Sequence, residues 1–357
     1  MTAAGEVVAA LPVDGMTTDQ FASFGLLCAP AKPYLLVTAR RGRALGLDAA
    51  GPLGLAINAY DTASDILSYA ADTQVTRRFD VVPVGNTAGA AIELAKLAQR
   101  LPALLVADGR RPAVAACDPP LVTVAAGAVA RFREAAIQSL SIAAEASVPV
   151  NGGTSTRFVI FRDSIGGAST AVIVGKPDFT QPVPLRLHSA CLTGDVFGSR
   201  RCDCGDQLRL ALALLEQQGG GIILYLEQEG RGLGLANKMR TYQLQDAGLD
   251  TVDANTVLGF DDDERDYGVA ARMLQMLGCT RVSLMTNNPA KLVGLSDAGI
   301  EVSGRLPLHG PINSDNRRYL TAKATRAGHK LDHLLGALAD AGEGGGSREP
   351  VGGGQAP

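Results

Sequence analysis

Three cysteines, Cys191, Cys202 and Cys204, stand in the run Cys191-Leu192-Thr193-Gly194-Asp195-Val196-Phe197-Gly198-Ser199-Arg200-Arg201-Cys202-Asp203-Cys204. Thiolates this close in sequence can hold one zinc ion. Three ligands leave its fourth position open for water, which zinc acidifies towards hydroxide near neutral pH. Hydrolysis is the chemistry such a site would do. Two plainer readings stand beside it: a structural zinc completed by a fourth ligand, for which His188 is a candidate, and reduced cysteines without metal. The cysteines alone do not separate the three.

Three further runs carry reactive side chains. Glu227-Gln228-Glu229-Gly230-Arg231-Gly232-Leu233-Gly234-Leu235 is a glycine-rich turn in which backbone amides can approach a ligand and Arg231 can meet phosphate or carboxylate. As a bare pattern it is also an ordinary strand-to-helix connection. Asp261-Asp262-Asp263-Glu264-Arg265-Asp266-Tyr267 sets five carboxylates and one arginine ahead of a helix. That run suits proton transfer beside a phosphate-binding cation, or simply a solvated helix start. Thr286-Asn287-Asn288-Pro289-Ala290-Lys291 can receive an anion at a helix N-terminus or serve only as a cap.

The elements that must position these runs are legible from apolar spacing and breakers. Strands are predicted at 157–162, 171–174 and 183–188, the first two joined by the hairpin chemistry of Asp163-Ser164-Ile165-Gly166-Gly167. A helix is predicted over 207–218, then a strand over 222–226, a helix over 266–277, a strand over 281–286 and a helix over 289–298. This alternation predicts an α/β fold with a partly parallel sheet and a site at loops beyond strand ends. Residues 1–138, with a strand-like run Tyr34 to Thr38 and a helix-like run Ala91 to Leu101, read as a separate α/β unit. The segment Arg131 to Ala146 reads as helix, and the linker is placed between about 138 and 155, where Val148-Pro149-Val150-Asn151-Gly152-Gly153 breaks the pattern. Residues 139–338 form the second unit, and the glycine-rich tail 339–357 is expected to be disordered.

With 357 residues there is room for two cores. A formal charge of −3 provides no global basic field, and 4% aromatic residues with no Trp leave no stacking platform, so nucleic acid is not an expected partner. No apolar run approaches the roughly eighteen residues of a membrane span, and no leader pattern is seen; a cytoplasmic protein is expected. Cys28, Cys117 and Cys279 lie in apolar surroundings and are read as packing residues.

Taken in order, Arg186-Leu187-His188-Ser189, Cys191-Leu192-Thr193-Gly194-Asp195, Arg201-Cys202-Asp203-Cys204-Gly205, Gln228-Glu229-Gly230-Arg231, Asp263-Glu264-Arg265-Asp266 and Leu284-Met285-Thr286-Asn287-Asn288-Pro289 resemble GTP cyclohydrolase II, from roughly Val148 to Leu335. The resemblance implies one zinc on Cys191, Cys202 and Cys204. It implies hydrolysis at C8 of GTP that opens the imidazole ring and releases formate and pyrophosphate, the first step of riboflavin synthesis. It assigns Asp263 as proton acceptor, Arg265 to the α-phosphate and Tyr242 to a place near the base. It places substrate contacts on Arg186, His188, Ser189, Gln207, Glu229, Gly230, Arg231, Thr251, Thr286 and Lys291. Magnesium would accompany the triphosphate, and a homodimer is implied. A guanidinium stays protonated at ordinary pH, so Arg265 is read as an electrostatic stabiliser more readily than as a nucleophile.

Two positions depart from the family pattern: Ala190 where a glutamate is usual, and Glu227 where more basic residues are found. They keep open a ring-opening hydrolase for another nucleotide, such as a uridine nucleotide, and a non-catalytic nucleotide-binding zinc protein. Many relatives carry an N-terminal dihydroxybutanone phosphate synthase with a Glu-Asp-x-Glu-Gly-Asp type metal run. Here the corresponding stretch, Leu36-Val37-Thr38-Ala39-Arg40-Arg41-Gly42-Arg43-Ala44-Leu45-Gly46-Leu47, has no acid. A degenerate, non-catalytic remnant used for packing or dimerisation is expected, with an unrelated regulatory domain as the alternative.

Overall fold

A computed structural model describes residues 2–3, 5–110, 112–150, 155–164, 166–326 and 328. The glycine-rich tail and the end of the second unit lie outside these residues, as do residues 151–153 of the breaker run at 148–153.

The first sheet comprises β1 (Thr2–Ala3), β2 (Glu6–Pro12), β3 (Tyr34–Val37), β4 (Leu53–Ala56), β5 (Val81–Val82) and β6 (Ala103–Asp108), in the order β1-β2-β6-β3-β4-β5. Every pairing in it is antiparallel. Side chains alternate across a strand, and both faces are covered here, which is why β3 and β6 read as unbroken apolar runs. Leu35, Val37 and Leu105 pack with Phe24 and Ile66 on one face, while Leu36, Leu104 and Val106 pack with Ala91, Ile92 and Val129 on the other.

The second sheet contains β7 (Ser141–Ser147), β8 (Thr156–Arg162), β9 (Ala168–Gly175), β10 (Val183–Ser189), β11 (Gly220–Leu226), β12 (Arg281–Met285) and β13 (Glu301–Leu306), in the order β13-β12-β10-β11-β9-β8-β7. The strands β13, β12, β10 and β11 run parallel; β9, β8 and β7 pair antiparallel. The sheet is therefore mixed. Its larger core joins Phe161, Leu185, Leu224 and Leu284 to Met273 and Leu274 of helix Gly268–Met276. The other face holds Ile223 and Met285 against Ala211 and Leu215 of helix Cys204–Gln217.

From β10 the chain passes to β11 on one side and later to β12 on the other. This is a topological switch point, and the crevice beyond the carboxyl ends of such strands is where α/β sheets bind ligands. The ends of β10, β11 and β12 lead into Ala190-Cys191, Glu227 to Arg231 and Thr286 to Asn288.

Two expectations from the sequence do not hold. Residues 141–147, expected to continue a helix and then a linker, form the edge strand β7 paired with β8. Their Ala and Glu content favours helix, but every residue is exposed and backbone pairing with β8 overrides the weak local preference. The real helix, Ala126–Gln138, ends before it. Cys28 and Cys279 are buried as expected, but Cys117 is only half-buried. No helix among the described residues is long and apolar enough to cross a membrane.

Candidate active site

The sulfurs of Cys191, Cys202 and Cys204 all lie within 4.8 Å of one another. Cys191 lies two residues beyond the end of β10 and precedes the short turn Leu192–Asp195, while Cys204 opens helix Cys204–Gln217. Asp195 ties this turn down. Its carboxylate accepts from the Cys191 backbone N–H at 2.9 Å, from the Tyr225 hydroxyl at 3.0 Å and from His188 Nε2 at 3.0 Å. His188 is therefore committed to Asp195 through Nε2, and burial lowers its pKa so that the ring stays neutral. It is not part of the sulfur group, which answers its candidacy as a fourth ligand.

Gly194 makes room for the triad. A Cβ there would come within 2.9 Å of Cys202 Sγ and 3.1 Å of Cys191 Sγ, and one at Gly205 would meet Gly194 O. Hydrogen bonds from Cys202 and Cys204 hold the Cys191 thiol well below its ordinary pKa, and Lys238, whose Nζ sits 3.0 Å from Cys191 Sγ, adds to that. Convergent sulfurs with one already favoured as thiolate fit a soft divalent metal. Gly194→Ala is expected to lower metal content several-fold while leaving far-UV circular dichroism unchanged; metal analysis of the purified variant checks it.

The sulfurs share a cleft with polar groups from the ends of β10, β11 and β12. Of the expected substrate contacts, Arg186, His188, Ser189, Gln207, Glu229, Gly230, Arg231, Thr251, Thr286 and Lys291 all line it, and so do Tyr242 and Arg265. Asp263 reaches the cleft only through Arg265, gripping its guanidinium with Oδ1 at 2.7 Å and Oδ2 at 2.5 Å. Burial would raise the pKa of Asp263, but Arg265 outweighs it and holds the carboxyl below its usual range.

Arg186 is buried, donating to Met285 O at 3.0 Å and to Gln207 Oε1 at 2.5 Å; Gln207 in turn donates to Asp203. Lys291 is buried too, with Nζ on Leu187 O at 2.8 Å. Its pKa is pushed well down by burial and then by the nearby charges of Arg186, Arg265 and Lys323. Arg186 Nε, His188 Nδ1 and Gln228 Oε1 are buried without a partner, and all three residues line the cleft. Buried cations and unpaired polar atoms around one space call for a polar, anionic ligand.

The glycine turn is wound left-handed. Gly230, Arg231, Gly232 and Gly234 have φ of 64°, 63°, 93° and 84°. Only Arg231 carries a Cβ there, at a cost of roughly 1–3 kcal/mol. Glu229 bridges two parts of the site, taking Lys238 Nζ at 2.8 Å and the Leu192 N–H at 2.7 Å.

Several residues here escaped the sequence reading. Lys238 and Thr241 precede Tyr242 on helix Leu235–Asp246, where positions four apart share a face, so Lys238 could have been paired with Tyr242. Tyr319 and Lys323 come from helix Arg317–Arg326 at the same spacing, with Lys323 Nζ 3.0 Å from Asp203. Asp195 stands inside the cysteine run, but no local pattern marks it as the acceptor for three donors. Glu227, expected near the pocket, instead accepts from the Ala168 N–H at 3.3 Å and does not line the cleft, whereas Ala190 does.

The family model for GTP cyclohydrolase II matches residues 141–307. A protein of Azospirillum brasilense named GTP cyclohydrolase-2 is 43% identical over 344 residues, which cover 92% of this chain and 89% of that protein. The chain belongs to the GTP cyclohydrolase II family. A GTP cyclohydrolase-2 of Azotobacter vinelandii is 50% identical over 200 residues, 56% of this chain and 94% of the relative. A riboflavin biosynthesis protein RibBA of Bacillus mycoides is 52% identical over 162 residues, 45% of this chain and 41% of the relative. In this member of the family, β7 to β13 all lie within the matched span, as do the three cysteines and Arg265. Tyr319 and Lys323 fall beyond it.

Proposed function

We propose that this protein hydrolyses GTP, opening the imidazole ring and releasing formate and pyrophosphate. The observation that carries the reading is one cleft holding both three converging sulfurs and the basic side chains of Arg186 and Lys291, which are buried, and of Arg265 and Lys323, which are partly buried. The names of the relatives support guanosine triphosphate as the substrate, and the cations suit its phosphates, accompanied by magnesium. Cys191, Cys202 and Cys204 would hold zinc, which when bound supplies a Lewis acid that activates water at neutral pH.

The chain's own groups do the rest. Arg265 faces the α-phosphate and stabilises charge as the pyrophosphate leaves. When phosphate takes over that guanidinium, Asp263 loses its ion pair and its basicity rises, which prepares it to accept a proton. Tyr242, kept as a neutral phenol by burial, offers its hydroxyl near the base. Gln207, held between Arg186 and Asp203, keeps the Arg186 fork fixed below the ligand. The homodimer belongs to this reading on family resemblance.

Zinc-loaded protein incubated with GTP and magnesium is expected to yield formate and pyrophosphate; absence of both overturns the proposal. Ala190 on the cleft wall supports a second reading, a different nucleotide substrate. A panel of purine and uridine nucleotides decides between them by kcat/KM.

Lys291 makes the binding step pH-dependent. Its pKa is depressed in the free protein, and a triphosphate beside it restores the charged form, so binding takes up a proton between that depressed pKa and the ordinary 10.5. Affinity for a non-hydrolysable GTP analogue is expected to fall as pH rises through that window. Calorimetry in buffers of different ionisation enthalpy reads the uptake, and Lys291→Met is expected to remove its contribution.

A further inference from the structure

We propose that the N-terminal unit positions the catalytic loop, with Arg40, Arg41 and Lys96 fixing residues 257–265 and hence the Asp263–Arg265 pair. The inference rests on the reading of Arg265 given above. The loop lies between helices Thr251–Val257 and Gly268–Met276, in irregular backbone that no regular ladder of hydrogen bonds holds.

Arg231 holds it from its own unit, donating Nη1 to Asp262 O at 3.2 Å and accepting at its carbonyl from the Glu264 N–H at 3.1 Å, and the N-terminal unit adds grips at short intervals from the other side. Arg41, only 2% exposed, donates to Val257 O at 2.9 Å while its other N–H groups take Ser68 O, Tyr69 O and Asp72 O. One guanidinium thus caps the carboxyl ends of two helices, one from each unit. Thr38 Oγ1 donates to Gly259 O at 2.8 Å. Gly259 has φ of 83°, and a Cβ there would sit 2.9 Å from Thr38 Oγ1, so this approach needs glycine. Arg40 reaches Asp261 at 2.8 Å and Asp262 at 2.9 Å, and Lys96 reaches Glu264 at 2.6 Å. Lys96 and Glu264 are each only 12% exposed, so water screens this pair weakly. Leu101 packs with Leu258 and Phe260 beneath these contacts.

The charges sort the carboxylates. Asp261, Asp262, Asp263 and Glu264 all stand within four positions of Arg265, and any of them could capture its guanidinium. Arg40 occupies the first two, Lys96 occupies Glu264, and Asp266, the fifth carboxylate of the run, accepts from the Gly268 N–H at 2.7 Å, which leaves Asp263 for Arg265. Arg40 and Arg41 belong to the stretch that lacks the acids of a magnesium site. In this chain its residues bear on the neighbouring unit's loop.

The test compares the full-length wild type with Arg40→Ala, Lys96→Met, the double variant and Lys96→Arg, each zinc-loaded. For the double variant kcat for pyrophosphate release is expected to fall at least about tenfold, since small misplacements of a reacting group cost that much or more. KM should stay within about threefold and zinc content should not change. Lys96→Arg should restore most of the loss caused by Lys96→Met. Hydrogen exchange at the amides of 258–266 should speed up in the double variant, a readout that needs no turnover. Unchanged exchange, or faster exchange with unchanged kcat, overturns the proposal. If wild type turns over no GTP, the functional reading fails, and exchange still decides whether the N-terminal unit fixes the loop. Should the double variant not fold, Arg40→Ala, at a partly exposed side chain, decides the matter by the same two readouts.

Discussion

Cys204→Ser is expected to abolish formate release, by a factor of about a thousand or more, and to reduce bound zinc to a small fraction of one ion per chain. A serine hydroxyl does not ionise near neutral pH and presents a hard oxygen, so it replaces neither the charge nor the softness of a thiolate. Two sulfurs would remain, Cys191 and Cys202, 3.7 Å apart. A site with two protein ligands would neither retain the metal nor direct activated water at one atom of the purine. The helix that Cys204 opens continues for fourteen residues and packs through Ala211 and Leu215, so the fold should survive the change. Zinc analysis, circular dichroism and a formate assay on one preparation check this. Full formate release without zinc would remove the metal from the mechanism.

Arg265→Ala is expected to lower pyrophosphate release about a hundred- to a thousandfold with zinc content unchanged. Removal of one preorganised charge from a developing phosphoryl charge costs that much. The Arg265 side chain is 9% exposed, so bulk water cannot substitute for it, and Asp263 would be left without its bidentate partner. Arg265→Lys separates the two roles considered for this residue. A lysine keeps the positive charge and should retain part of the rate if Arg265 acts electrostatically, whereas a requirement for the guanidinium nitrogens as nucleophile predicts loss as deep as in Arg265→Ala. Rapid-quench measurement of both products reads the outcome.

Most of the site's wall was legible because its residues come in short runs at strand ends. His188, Ser189 and Cys191 stand within four positions at the end of β10, and Glu229 to Arg231 follow β11, so each run could be singled out locally, and the resemblance to GTP cyclohydrolase II joined the runs into one site. Strand and helix positions from β8 to β11 and from the helix Gly268–Met276 to the helix Pro289–Asp297 were readable because each carries its own periodicity and breaker, whereas the helices Leu235–Asp246 and Thr251–Val257 between them were not read. Where the pattern was weak the reading failed. The strand β7 has no apolar face to announce it and exists only because β8 offers it a backbone partner.

Partners far apart in the chain left no such trace. Nothing near Cys191 announces that Lys238 will lie 3.0 Å from its sulfur, and nothing near Asp203 announces Lys323. The acid-rich run looked like a solvated helix start, yet its charges are claimed by Arg40 and Lys96 from more than 160 positions away. The sequence by itself determined the cluster of three cysteines, the glycine turn and the alternation that builds a partly parallel sheet, because spacing within a few residues sets what one turn or strand end presents. Only the tertiary structure decided which carboxylate meets which cation, that His188 serves Asp195, and that the N-terminal unit bears on the loop of Arg265. Those choices depend on which chain segments the sheet order brings side by side, and local spacing carries no information about that.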